Sequence, residues 1–242
     1  MHSNIQVFIN GQKVQKQDIL IWEKKRADIV LKKLGAKPKS SNLIELRQQL
    51  LEQKSKLGHE GINKILKKEL IISDFFAKMT AHFSFGSRRL CIIEIFVENV
   101  SAEQFVEWFE QCGQINNEQA MLAGTPDHYL ISTRNGIQEV IETNGGSPMV
   151  ARFYIDYEDL SSLRSPVDPT FPLQIAGVAR SRDGLALGGV RHQFRNEGNG
   201  FRARLTVEYP LLILPTIMSG HQWHLASEFS NWISAALDQT FA

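Results

Sequence analysis

Near the end of the chain, "HQWHLASEFSNWISAAL" puts His224 and Glu228 four residues apart at the head of an apolar stripe of Leu225, Phe229, Trp232, Ile233 and Ala236. On a helix, residues four apart share one face, so an imidazole nitrogen and a carboxylate oxygen there can hold one ion between them. At about 100° per residue the pair lies on the shoulder of the stripe rather than opposite it. An ordinary polar edge on a terminal helix has the same spacing, and the interval alone does not choose between the two. A second group of ligand types lies upstream, in "GTPDHYLISTRNGIQEVIETNGG": His128 heads a strand-like run, and Glu139 and Glu142 sit on the next. A two-residue turn at Asn135–Gly136 pairs Ser132 with Glu139 and puts His128 on the face of Glu139. A three-residue loop with Gly136 left-handed puts His128 across from Glu142. The register decides the acid, and solvated acids on a hairpin fit the same letters.

The remaining candidates are few. Of seven histidines, His2 and His59 lie in polar settings that suggest the surface, whereas His82, His128, His192, His221 and His224 fall in or beside the strand-rich part. His192, in "GGVRHQFR", suits a proton carrier because histidine titrates near neutrality, although a surface strand histidine fits that position equally. His221, one turn before His224, is placed to orient it or to face solvent. Phe153, Trp223 and Trp232 offer flat apolar walls, or ordinary core packing. The two cysteines, Cys91 and Cys112, form no CxxC pattern and read as buried thiols, so any metal must be held by histidines and carboxylates.

The elements that must position these residues fall into two parts. A chain of 242 residues supports one good-sized core or two small ones, and 43% hydrophobic with 22% charged residues is an ordinary soluble composition. No apolar run approaches the roughly 18 residues of a membrane span. The start, "MHSNIQVFINGQ", lacks a basic-then-apolar secretory pattern, which points to the cytoplasm. The net charge of +1 hides a split: residues 1–70 hold 15 Lys+Arg against 7 Asp+Glu, and residues 71–242 hold 12 against 19. Thirteen of the 14 lysines precede residue 71. Residues 1–85 therefore read as a lysine-rich, mostly helical region. Its helices are residues 18–34, "LIELRQQLLEQKSKLG" and "EGINKILKKELIISDFFAKM", with a short linker at "KPKSSN". Few aromatic residues interleave its lysines, which favours a solvated outer face over a nucleic-acid surface.

Residues 86–242 change to a β pattern. "RRLCIIEIFVEN" is a strand, and "SAEQFVEWFEQCG" is a helix with Ser101 and Gln104 placed as a capping box. Six further strand-like runs are separated by "RNG", "NGG", "RDG" and "EGNG", connections too short for helical crossovers, so they predict an antiparallel meander. A helix from about Ser219 to Phe241 ends the chain. The expected class is α+β: a curved antiparallel sheet gripping a long C-terminal helix, the helix-grip (Bet v 1-like) order, preceded by the helical N-terminal region.

From about Val100 onward, "SAEQFVEWF", "GTPDHYLI", "VIETNGG", "GGVRHQFRNEGNGFRARL" and "HLASEFSNWISAAL" occur in an order that resembles the 2,4-diacetylphloroglucinol hydrolase and phloretin hydrolase family, over roughly 140 of the 242 residues. Members of that family are zinc enzymes that hydrolyse a carbon–carbon bond between an aromatic ring and an acyl group. The resemblance implies a helix-grip fold and a zinc held by two histidines and two glutamates. Residue by residue, "PDHY" supplies His128, "IETNGG" supplies Glu142, and "HLASE" supplies His224 and Glu228. This selects the three-residue hairpin loop, with Glu158 of "IDYEDL" the alternative under a shifted alignment. It also implies a small aromatic ketone as substrate and a homodimer through the N-terminal helices, and in such a reaction His192 is the candidate for the catalytic proton carrier. Where the family has a tryptophan ahead of the first ligand, this chain has "AGTPDH", and its interval from His128 to Glu142 is shorter. Two other readings stand beside it: a metal-free helix-grip module that binds an apolar small molecule, and a protein that binds a partner through its basic helices.

Overall fold

The computed structural model describes residues 5–145 and 147–240. In chain order its elements are β1 (Ile5–Ile9), β2 (Gln12–Val14), α1 (Lys16–Lys33), α2 (Leu43–Phe83), β3 (Arg88–Glu98), α3 (Ala102–Gln114), α4 (Glu118–Leu122), β4 (His128–Arg134), β5 (Ile137–Glu142), β6 (Ala151–Asp156), β7 (Leu173–Arg180), β8 (Ala186–Glu197), β9 (Gly200–Pro210) and α5 (Pro215–Thr240). The strands form one antiparallel sheet in the order β2-β1-β3-β9-β8-β7-β6-β5-β4. From β4 to β9 it is the expected meander. β3 then lies along the last strand, with Arg88–Glu98 paired against Gly200–Pro210 without a shift. The class is α+β, a large open antiparallel sheet with a C-terminal helix. No described helix is long and apolar enough to cross a membrane.

Alternation decides which face is covered. Cys91, Ile93, Ile95 and Val97 of β3 and Phe201, Ala203 and Leu205 of β9 point to one side, where they join Leu225, Phe229, Trp232, Ile233 and Ala236 of α5 in a single core. The predicted stripe of the last helix is thus the face that packs on the sheet. α3 fills the rest of that side. Its start carries the capping box, with Gln104 N donating to Ser101 Oγ (3.2 Å) and Ser101 N donating to Gln104 Oε1 (2.8 Å). Its Phe105 ring lies 5.6–6.0 Å from the rings of Phe194, Phe201 and Phe229. Truncating so enclosed a ring to alanine costs about 3–5 kcal/mol.

The N-terminal region is not helical throughout. Asn10 and Gly11, at φ 53° and 76°, turn β1 into β2, and β1 pairs with β3, so the first residues extend the sheet. α2 breaks at Gly58 (φ 58°, ψ −177°), where the two predicted helices meet. α1 and α2 pack on each other and on the strands. Ile19 of α1 shares a core with Val7 of β1, while Ala27, Val30 and Leu31 pack with Leu46, Leu50, Ile62 and Leu66 of α2 and with Tyr129, Leu130 and Ile141 of β4–β5. Lys64, Lys67 and Lys68 lie on an exposed face, as expected, but Lys54 is buried and Ile71, Phe75 and Phe76 are exposed.

Candidate metal centre

The acid on the hairpin is chosen by a bulge. Asn135 and Gly136 form a two-residue turn, both at positive φ (52° and 78°), and pair Arg134 with Ile137 and Ser132 with Glu139. The three-residue loop expected for Glu142 is therefore incorrect. That turn alone would put His128 on the face of Glu139, yet the register shifts between His128 and Leu130, and His128 pairs with Glu142. One extra residue in a strand exchanges the faces beyond it. Tyr129 and Leu130 both pack with the N-terminal helices, so His128 turns back to the face of Ile131, inside the sheet. Glu139 points outward, 3.1 Å from Arg152 Nε and accepting from Tyr154 OH at 3.4 Å. Glu158 is exposed beyond β6. Neither belongs to the centre.

α5 brings the other pair. His128 and His224 are fully buried (0% exposed), and Glu142 and Glu228 nearly so (6% and 8%). His128 Nε2 lies 3.5 Å from Glu142 Oε2 and 3.1 Å from Glu228 Oε1. His224 Nε2 lies 3.7 Å from Glu142 Oε2 and 4.0 Å from Glu228 Oε2. One ligand atom from each of His128, Glu142 and His224 falls within 4.8 Å of the others, a buried cluster that can hold a metal ion. The loop after β5 fixes its distance from the helix. A Cβ on Gly145 would stand 2.3 Å from the Gly220 carbonyl oxygen, so glycine permits the closest approach one turn ahead of His224.

The orientation of His128 suits a ligand. Its Nδ1 lies 3.2 Å from the Met121 carbonyl, so that nitrogen carries the hydrogen and Nε2 turns its lone pair toward the carboxylates. His224 Nδ1 is 3.9 Å from Asp127 Oδ2, and its ring stacks on His221 with centroids 4.7 Å apart. Tyr209 meets the other side of His221 at 5.3 Å and donates through its OH to Asn144 of the "IETNGG" loop at 2.7 Å. His221 is therefore buried beside the centre rather than in solvent.

Burial without a cation sets the electrostatics. Glu142 is pushed up to about 8 by burial, with Glu228 and Asp127 adding to the rise and His128 opposing it. Burial raises Glu228 well above the carboxylate range. His128 falls to about 4 and His221 to about 3, and His224 falls well below its ordinary value, in each case chiefly through desolvation. In the metal-free protein at neutral pH the histidines are neutral and most of Glu142 is protonated, and burial shifts Glu228 in the same direction as Glu142. Every group thus keeps the form that costs least in a dry interior.

Other candidates take definite places. His192, on β8, is buried against Phe229 (ring centroids 4.9 Å), and its Nδ1 has no hydrogen-bond partner. Desolvation pushes it down to about 3, so it is no surface histidine. Phe153 and Trp223 are half-buried against the core. Trp232 is buried, lies 5.7 Å from the His128 ring and donates to the Ala120 carbonyl at 3.2 Å, so it packs and braces rather than lining open space. His59, half-exposed, pairs with Glu118 (2.8 Å), His82 is exposed, and His2 lies outside the described residues. Both cysteines are free and buried.

Sequence reading missed the charges beside the centre. Arg26 grips both oxygens of Asp127 at 2.6–3.0 Å, and Lys54 Nζ donates to the Pro126 carbonyl at 3.2 Å. Glu23 accepts two bonds from Arg47 at 2.6 and 2.7 Å, and Arg47 also donates to Asn231 of α5 at 2.8 Å. A cavity of about 620 Å³ opens between α1, α2 and α5 beside these groups, and the four histidine and glutamate ligand candidates do not line it. No protein-family model matches the sequence, and no curated protein matches it at a significant level.

Proposed function

We propose that this chain is a zinc-dependent hydrolase that cleaves the carbon–carbon bond between an aromatic, polyphenolic ring and an acyl group, on a helix-grip scaffold. The observation that carries the reading is the meeting of His128, Glu142, His224 and Glu228 in one buried cluster, drawn from the three motifs that resemble the hydrolase family.

The donor set fits the metal. Zinc takes imidazole nitrogen and carboxylate oxygen at about 2.0–2.2 Å, so ligand atoms about a common tetrahedral ion stand about 3.4 Å apart. Glu142 Oε2 stands 3.5 and 3.7 Å from the two histidine nitrogens, and Glu228 faces His128 through Oε1 at 3.1 Å and His224 through Oε2 at 4.0 Å. The Nε2 atoms of both histidines are buried without hydrogen-bond partners, and two acids face them with no arginine or lysine paired to either acid among the described residues. His128, Glu142, His224 and Glu228 would hold a divalent cation with their carboxyl groups deprotonated, and its charge would balance theirs. A metal-free module for apolar ligands gives these four groups no purpose, since each costs burial energy and none is offset by a cation.

Zinc held by His128, Glu142, His224 and Glu228 would supply Lewis acidity toward an acyl carbonyl and would bring the acidity of a water into the neutral range. The chain's own residues do the rest. The polyphenol must reach its keto tautomer so that the departing ring carbon leaves as a stabilised enolate. Neutral His192 has one N–H and one lone pair, so it accepts a proton from a phenolic oxygen and returns one to the ring carbon. Its low basicity belongs to an apolar surrounding. Negative charge growing on the ring beside it raises that basicity when the proton is needed. His221, stacked on His224, and Tyr209, anchored on Asn144, hold the imidazole plane in place.

The test is turnover of 2,4-diacetylphloroglucinol or phloretin by the zinc-loaded chain, read as release of the carboxylic acid. Activity should vanish with a chelator and return with zinc, and His192→Asn should lower kcat by about 100-fold or more with zinc content unchanged. A folded, zinc-loaded protein that leaves a panel of acylated phenols intact overturns the reaction assignment.

A further inference from the structure

The cavity between the N-terminal helices and α5 has the makings of a second binding site. At about 620 Å³ it lies within the usual range for small-molecule pockets, about 300–1,000 Å³. Most of its wall is aliphatic, including Val7, Ile19, Leu50 and Leu122, and the residues that line it include no aromatic side chain. Among the polar groups on that wall, three are buried with hydrogen-bonding capacity to spare. Thr125 and Ser227 are buried (1% and 0% exposed), line the cavity, and have hydroxyls with no hydrogen-bond partner. A buried hydroxyl left unpaired costs about 1–3 kcal/mol, so two beside one cavity point to an occupant that satisfies them. Lys54, 2% exposed, is the third. Its ammonium has three donors, and one is used by the Pro126 carbonyl.

The charges on the wall specify the occupant. Lys16, Arg47 and Lys54 line it against Glu23 and Asp238, an excess of one positive charge. Arg47 is committed to Glu23, and the carboxylate nearest in effect to Lys54, that of Asp127, is already held by both arms of Arg26. Lys54 therefore stands without an ion-pair partner among the described residues, and burial pushes it down to about 7, so an anionic occupant holds it in the ammonium form. A singly charged head balances it, and a phosphate dianion would be left undercompensated in a dry site.

We propose that this cavity binds an amphipathic monocarboxylic acid of medium chain length, its carboxylate held by Lys54, Thr125 and Ser227 and its aliphatic tail lying against Val7, Ile19, Leu50 and Leu122. The site is separate from the histidine–glutamate centre and does not depend on the reaction assigned to it.

Isothermal titration of the full-length chain with sodium decanoate, and with 1-decanol as the neutral counterpart, tests this. Decanoate should bind at about one per chain with a Kd in the micromolar range, and decanol at least about tenfold more weakly, since hydrogen bonds to a charged group exceed neutral ones by about that factor. Lys54→Met removes the cation and keeps the volume, so decanoate affinity should fall about tenfold or more. Ser227→Ala should weaken it less. Leu51→Trp, at a half-buried position on the wall, should abolish binding of both ligands by filling the space while leaving the polar groups in place. Thermal unfolding of each variant shows that it is folded. Equal binding of decanoate and decanol, undiminished binding by folded Lys54→Met, or no binding by the wild type overturns the assignment. So does binding seen with zinc-loaded protein and lost on chelation, because it places the acid on the metal instead.

Discussion

Two buried clusters of charge-bearing residues flank α5, and they are built on opposite rules. In one, acids meet arginines: Glu23 with Arg47 at 2.6 Å and Asp127 with Arg26 at 2.6 Å, each two-pronged, with Asn231 of α5 joined to the first. In the other, acids meet histidines that burial keeps neutral, and among the described residues no arginine or lysine pairs with either acid; Lys54 and Arg26 act on the histidines only from a distance. Both clusters carry the cost of taking ionisable groups out of water. The first offsets it with permanent partners and ties α1 and α2 to the rest of the fold. The second offsets it by staying protonated, and that solution is reversed when a divalent cation enters. The difference separates a structural tie from a site.

Four outcomes would sharpen or break this comparison. The largest is expected in the paired cluster. Asp127→Ala strands the Arg26 guanidinium and should destabilise the protein by about 3–5 kcal/mol in urea unfolding, whether or not zinc is present. In the unpaired cluster, Glu142→Gln keeps the shape of the protonated acid. The metal-free variant should be at least as stable as wild type at neutral pH, because glutamine needs no proton taken up on folding, whereas zinc at about 100 times its Kd should stabilise wild type by about 2.7 kcal/mol and the variant far less. A large metal-free loss in Glu142→Gln would make the two clusters alike.

Next comes pH. Glu142, raised from the usual 4.5 to about 8, binds a proton in the metal-free fold that the unfolded chain has released. Its contribution to stability is therefore present at low pH and lost as pH rises through about 8. His128, lowered to about 4, acts oppositely, and its contribution is lost as pH falls through about 4. Zinc must displace the Glu142 proton, so its affinity should increase from pH 5 to 8 in calorimetric titrations, with proton release seen on changing the buffer. The smallest effect belongs to Glu139→Gln on the outer face, which should shift stability by about 0.5 kcal/mol or less and leave zinc binding as it was. Loss of zinc in that variant would mean that the hairpin register is wrong.

How much of this was legible depends on the distance over which a residue is fixed. The α5 stripe, the capping box at Ser101, the break at Gly58 and the strands from β3 to β9 follow from neighbours a few residues away, and the sequence predicts them. The β1–β2 hairpin was also within reach, since Asn10–Gly11 stands between "VFI" and "KV" as it does in the later hairpin. Glu142 shows a harder case. Its assignment opposite His128 stands, but for a different reason from the loop expected, because a bulge at Tyr129 has no signature in the turn that precedes it. The paired cluster was out of reach, since Arg26 and Asp127 are 101 residues apart and Glu23 and Asn231 lie on opposite ends of the chain.

The central claim is that the histidine–glutamate cluster holds zinc, and metal quantification tests it most directly. Purified full-length protein should carry about one zinc per chain, and a folded variant with both His224→Ala and Glu228→Ala should carry almost none. A folded wild-type protein that contains no zinc and fails to bind it when added, or a double variant that retains its zinc, would contradict the account.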